Sequence, residues 1–123
     1  MRSDSVASAV SNEVLFECRS SKQPWVNGRW DTHSKLTGTV KIERNMQSLR
    51  VQFVFRDDLG AVRLNLGITR GVTFRTQRMP KNTGIVVGNN IETCMVKANH
   101  SNADILLELL VDAGAKDMTA AAH

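Results

Sequence analysis

The chain has 123 residues, 41% hydrophobic and 23% charged, with a formal charge of +4, few aromatics and no tyrosine. That length suits one domain with a single core and is short for two. The composition excludes a disordered or fibrous chain, and no apolar run approaches bilayer-spanning length, so no membrane insertion is expected. Residues 1–12 are polar and small, with Arg2 the one basic residue, unlike a secretory signal or an Arg-rich transit peptide. They are expected to form a flexible arm ahead of a domain at 13–113, with 114–123 as a disordered tail.

Val14 to Cys18 reads as a short first strand, followed by a Ser-, Pro-, Asn- and Gly-rich loop that carries Trp25 and Trp30. These rings could anchor a partner, but large aromatics in loops often cap cores, which favours sealing of the sheet edge. Leu36, Gly38, Val40 and Ile42 alternate with Thr37, Thr39, Lys41 and Glu43 as a second strand, and Asn45 to Ser48 turns the chain.

Residues 49–68, LRVQFVFRDDLGAVRLNLGI, are the most informative segment. Leu49, Val51, Phe53 and Phe55 point one way while Arg50, Gln52 and Arg56 point the other, and only Val54 breaks the pattern. Asp57-Asp58-Leu59-Gly60 supplies an exposed acidic turn, after which Val62, Leu64 and Leu66 resume the inward face and Arg63 and Asn65 the outward one. This predicts a hairpin with a core side and a guanidinium side.

Thr73–Arg78, Ile85–Val87 and Glu92–Ala98 read as three further strands, separated by the turns Met79–Gly84 and Gly88–Asn90. The period then changes to 3.6, with Ala103, Leu106, Leu107 and Leu110 on one helical stripe that Ile105 and Leu109 widen. Ser101 is the expected N-cap and Gly114 the stop. Seven strands and one C-terminal α-helix make the fold mainly β, a pleckstrin-homology-like sandwich or barrel capped by the helix. An oligonucleotide-binding barrel has fewer strands.

Cys18 and Cys94 are far apart and lack CxxC spacing, so buried thiols in a reducing compartment are expected rather than zinc or a disulfide. His33, His100 and His123 are isolated, and no nucleophile–base pairing or glycine-rich phosphate loop occurs. No catalytic residue, metal site or cofactor is expected, and a non-enzymatic interaction module is the reading. Charge is placed unevenly: residues 35–81 carry ten Lys and Arg against Glu43, Asp57 and Asp58, whereas the chain from Ile85 onward is net acidic. Such a basic stretch attracts acidic peptides or phosphates.

The stretches KLTGTVKIERN, LRVQFVFRDDLGAVRLNLGI and ETCMVKANHSNADILLELL together resemble a Ran-binding domain over roughly residues 13–112. Within that family the chain is most similar to the nuclear-basket nucleoporin branch. It departs from the common pattern at Leu36, where a second glycine often precedes the one matching Gly38, and at Trp30, which lies farther than usual from Gly38. Ile85-Val86-Val87 replaces the Trp-rich strand of soluble members, a change that the nucleoporin branch shares.

The resemblance implies binding of GTP-loaded Ran, whose acidic C-terminal segment is held on a basic face while the N-terminal arm reaches back. It also implies a nuclear or nuclear-pore location, otherwise cytoplasmic, with transport receptors as further candidate partners. Lys35, Arg56 and Arg63 lead as contacts, because guanidinium groups pair bidentately with carboxylates. Asn65 matches a family asparagine and equally suits a strand end. Arg75, Arg78 and Lys81 form a second basic group, either contact or solvated rim, and Arg56 could instead pair locally with Asp57 or Asp58. Two alternatives stay open: a similar scaffold domain binding proline-rich or acidic peptides through an aromatic groove at Trp25 or Trp30, and a single-stranded nucleic-acid binder. Phe53 and Phe55 face inward, which leaves no evident stacking platform for the latter.

Overall fold

A computed structural model describes residues 12–26, 28–31 and 33–119. Nine strands are present among them: β1 (Asn12–Val26), β2 (Arg29–Trp30), β3 (Leu36–Asn45), β4 (Val51–Asp57), β5 (Val62–Gly67), β6 (Thr73–Arg78), β7 (Thr83–Gly88), β8 (Thr93–Ala98) and β9 (Lys116–Asp117). One helix, α1, runs from His100 to Asp112 between β8 and β9. The strand order is β5-β4-β3-β1-β8-β7-β6-β9, with β2 paired to β1, and every pairing is antiparallel except β6 with β9. The mainly β architecture closed by one C-terminal helix is as the sequence predicts; β2 and β9 add two short strands to the seven expected.

β1 organises the sheet. It pairs with β3 along Asn12–Lys22 and with β8 along Ser21–Pro24, so one strand joins both halves. The segment after Cys18, expected as loop from its Ser, Lys and Pro content, is strand as far as Val26. Pairing on both sides overrides local preference here, and Pro24, which lacks an N–H, sits near the strand end. Trp25 and Trp30 therefore face each other across the β1–β2 ladder rather than lying in a loop.

The inward residues of both halves merge into one core. Val40, Ile42, Phe53, Phe55, Leu64 and Leu66 come from β3–β5; Ile85, Val87, Cys94 and Val96 come from β7 and β8; Ala103, Leu106 and Leu110 come from α1. Each fully buried Val, Leu, Ile or Phe side chain contributes roughly 1.5–3 kcal/mol relative to exposure. Cys18 and Cys94 are free, buried thiols, and burial pushes the Cys94 thiol up to about 11.

Several local expectations are corrected. Leu49, read as the first inward residue of its strand, lies in the β3–β4 turn with φ of 62° and is exposed. Asn45 builds that turn, its Oδ1 accepting from the Gln47 and Ser48 amides. The α1 N-cap is Asn99, not Ser101: Asn102 N donates to Asn99 Oδ1 at 2.8 Å. Ile105 stays exposed, so the apolar stripe is narrower than the sequence suggests.

Helix α1 ends at Asp112, and Gly114 follows with φ of +110°, a conformation that glycine adopts without a Cβ penalty. The chain beyond is not a disordered tail as far as Thr119. Ala115 is buried, Lys116 N donates to Val72 O, Met118 N to Phe74 O, and Thr76 N to Thr119 Oγ1. The open edge of β6 supplies the partners that a local reading of Lys116–Thr119 lacks. The expected flexible arm lies outside the described residues except Asn12, which already belongs to β1. No described helix is long and apolar enough to cross a membrane.

Candidate functional site

The β4–β5 hairpin is built on a close approach to β3. Gly38 stands opposite Asp57, and a Cβ there would lie 1.9 Å from the Arg56 carbonyl oxygen, so only glycine fits. At the far end Gly60 closes the turn with φ of +89°. Between them Asp57 acts as the turn's anchor. Its Oδ1 accepts from the Leu59 and Ala61 amides at 3.0 and 2.9 Å, and its Oδ2 accepts from Arg63 Nε at 2.7 Å.

The sequence predicts Asp57 as an exposed turn carboxylate; its side chain is only 7% exposed against 50% for Arg63. The Arg63 guanidinium, together with the two amides, holds the Asp57 carboxyl below its ordinary value against the opposing cost of burial.

Arg63 reaches Asp57 because β5 is irregular at this point. Phe55 pairs with Leu64 but Arg56 pairs with Val62, which leaves Arg63 as the extra residue of a bulge. The bulge also corrects the expectation for Val62: it shares the side of Arg56 rather than the core and is 45% exposed. Asn65 remains on the outer face, exposed, opposite Val54. Val54, the residue that breaks the alternation, is buried even on that outer face.

Asp58 is engaged as well. Arg19 of β1 contacts it through both Nη atoms, at 2.6 and 3.3 Å, and Thr37 Oγ1 donates to it at 2.8 Å. The Arg19 hydrogen bond, then that of Thr37, lowers the Asp58 carboxyl. Neither carboxylate pairs with Arg56, the local ion pair considered from sequence; Arg56 Nη1 donates instead to the Gly60 carbonyl at 3.3 Å. Arg56, Thr39 and Arg19 are successive register partners across β4, β3 and β1. The outer face of this half thus presents Arg56, Arg63 and Arg19 in one neighbourhood, with Lys41 in the next row beside Glu17. Sequence reasoning missed Arg19, although Glu17, Arg19 and Ser21 alternate outward; stopping the first strand at Cys18 hid that signal.

The other candidates divide. Lys35 is exposed just before β3, in a turn whose Asp31 carboxylate accepts from the His33 and Ser34 amides and the Ser34 hydroxyl. Arg75, Arg78 and Lys81 belong to β6 and the turn after it, across the sheet from β4 and β5 in strand order. Arg75 and Arg78 do not share one face: Arg78 Nη1 lies 3.6 Å from Asp104 of α1, while Arg75 alternates to the opposite side. Trp25 and Trp30 meet edge to face, with ring centroids 4.8 Å apart, and Trp25 remains 50% exposed. Sealing an edge therefore accounts for only part of that ring. Among the described residues, no group of three or more His, Cys, Asp or Glu is placed to hold a metal ion.

The fold has counterparts among solved structures. The Ran-binding domain of the nuclear pore complex component Nup2 from Ashbya gossypii superposes with a TM-score of 0.66, covering 84% of this chain and 95% of that one at 17% identity. The chain has the Ran-binding-domain fold. A second structure of that Nup2 domain gives a TM-score of 0.63 at 18% identity, covering 83% of this chain and 96% of the other. The fold resemblance drawn from the sequence blocks is thereby borne out at the level of architecture. No protein-family model matches the sequence, and no curated relative matches it.

Proposed function

We propose that this domain is a non-enzymatic Ran-binding module that holds the acidic C-terminal segment of GTP-loaded Ran on the outer face of β3–β5, at the nuclear pore. The observation that carries the reading is the hairpin's charge arrangement. Asp57 and Asp58 are each occupied by a guanidinium of the domain itself, while Arg56 is exposed and has no carboxylate partner among the described residues. At the hairpin turn an incoming carboxylate meets two acids already paired with arginines, so attraction is not cancelled there, whereas Glu43, at the other end of β3, is held by the neutral Asn12 amide.

Arg19 and Arg63 keep much of their side chains exposed while bonded, which leaves N–H groups for a second acceptor. Asn65, on the same face, adds an amide that both donates and accepts. Lys35 is a supporting cation near the β3 end. Transport receptors are further partners under this reading. The Nup2 domains supply the architectural precedent; the pairing with Ran is proposed for this chain on the strength of its own basic face.

Calorimetry with Ran in its two nucleotide states tests the reading. Tighter binding of the GTP-loaded form, weakened when the acidic tail is removed, is the expected outcome. Equal affinity for the two states removes it.

A further inference from the structure

Both tryptophans of the chain stand at one groove, on the outer face of β6–β8 rather than on the hairpin. The groove encloses about 580 Å³ and is lined by Trp25, Trp30, Arg75, Val86, Gly88 and Met118 among others. Val86 forms a low floor next to Gly88, where a Cβ would lie 2.6 Å from the Glu92 carbonyl oxygen. The Trp25–Trp30 pair makes one wall, with Trp25 half exposed, and Arg75 also lines the groove. Among the described residues Arg75 has no carboxylate partner; the pairs formed there engage Arg19, Arg44, Arg63 and Arg78.

The backbone narrows what this groove can accept. β7, which carries the floor, is hydrogen-bonded on both sides, to β6 and β8, and the edge of β6 is covered by β9 at Thr73 and Phe74. No strand can be added at the floor, so recognition falls to side chains. Polyproline II segments suit this, since they carry no internal hydrogen bonds, lose little conformational freedom, and dock on aromatic walls. Arg75, the one cation among the lining residues, supplies a guanidinium for a single anionic group such as a carboxylate. A single arginine does not neutralise a chain of phosphates, which argues against a nucleic-acid strand as occupant. The chain itself has two prolines, Pro24 and Pro80, so it contains no proline-rich segment of its own to fill the site.

We propose that this groove binds an extended, proline-containing acidic segment of a partner protein, prolines against Trp25 and Trp30 and a carboxylate on Arg75. The inference does not rest on the Ran reading, because its residues lie on a different part of the sheet.

Intrinsic fluorescence tests it directly, since both emitting rings line the groove. The probe is a short synthetic peptide of consecutive prolines followed by aspartates, titrated against the whole domain. Saturable change in emission is expected, with affinity lowered about tenfold or more in Trp25→Ala and several-fold in Arg75→Glu, and unchanged in Arg56→Glu. Circular dichroism of each variant confirms folding, and the surface change Arg75→Glu keeps the test decisive where the Trp variant unfolds. Three results each overturn the proposal: no emission change at millimolar peptide, equal binding of a peptide with lysines in place of the aspartates, or quenching by oligothymidylate with none by the peptide. Failure of the unaltered domain to bind Ran, with peptide binding intact, contradicts the hairpin reading alone.

Discussion

On the outer face of β3–β5, arginines stand among carboxylates; on the outer face of β6–β8, Arg75 shares a groove with two indole rings and has no carboxylate partner among the described residues. Arg63 and Arg19 use part of their bonding capacity on Asp57 and Asp58, and Arg78 reaches across to Asp104 of α1. Arg56 and Arg75 do not. Residues of one type, all pointing away from the core or at its rim, therefore fall into structural and available classes according to what faces them. A count of basic residues does not make that division; register does.

Gly38→Ala is the most severe change to the hairpin region. It forces a Cβ into the Arg56 carbonyl and should cost more than about 4 kcal/mol, read as loss of the cooperative transition in urea. Phe55→Ala, which empties a fully buried site beneath the hairpin, should cost about 3–5 kcal/mol by the same measurement. Arg63→Glu should lower both stability and Ran binding, because it removes the Asp57 partner and puts a like charge beside a buried carboxylate. Arg56→Glu should leave stability within about 0.5 kcal/mol, as for an ordinary surface position, yet weaken Ran binding about tenfold, or about 1.4 kcal/mol. Finding that Arg56→Glu and Arg63→Glu are equally destabilising would erase the distinction between them.

Smaller effects refine the contrast. Asn99→Ala should cost about 1 kcal/mol through the lost helix cap, whereas Ser101→Ala should fall within about 0.5 kcal/mol. Asp57 and Asp58 both have carboxyls lowered below the ordinary 3.8, each chiefly by an arginine hydrogen bond. Their contribution to stability is fully present above 3.8 and is lost as pH falls through the depressed folded values. Asp57→Asn should flatten that acid limb in a denaturation series at stepped pH. An unchanged limb would mean that the turn does not depend on the ionised anchor.

The hairpin was legible because its inward residues repeat at period two over two runs and its turn residues are specific. Phe53, Phe55, Leu64 and Leu66 are buried where alternation puts them. Its finer chemistry was not legible. The extra residue at Arg63 changes no composition and shows itself only when β4 and β5 are paired, yet it turns Val62 outward and brings Arg63 to Asp57. The second half of β1 was hidden for a different reason: Arg19, Ser20, Ser21, Lys22 and Gln23 include no apolar residue to mark an inward face, and they look like loop until β3 and β8 close on them. β9 likewise exists only because β6 leaves an edge to be covered. The split between Arg75 and Arg78 followed from strand alternation already visible in Thr73–Arg78, which grouping by charge obscured.

The hairpin reading is tested most directly by a double-mutant cycle in calorimetry, pairing Arg56→Glu on this domain with deletion of the acidic tail on GTP-loaded Ran. Contact between the two predicts non-additive losses, the domain variant costing little once the tail is gone. Strictly additive losses, or no loss from either change, would contradict it.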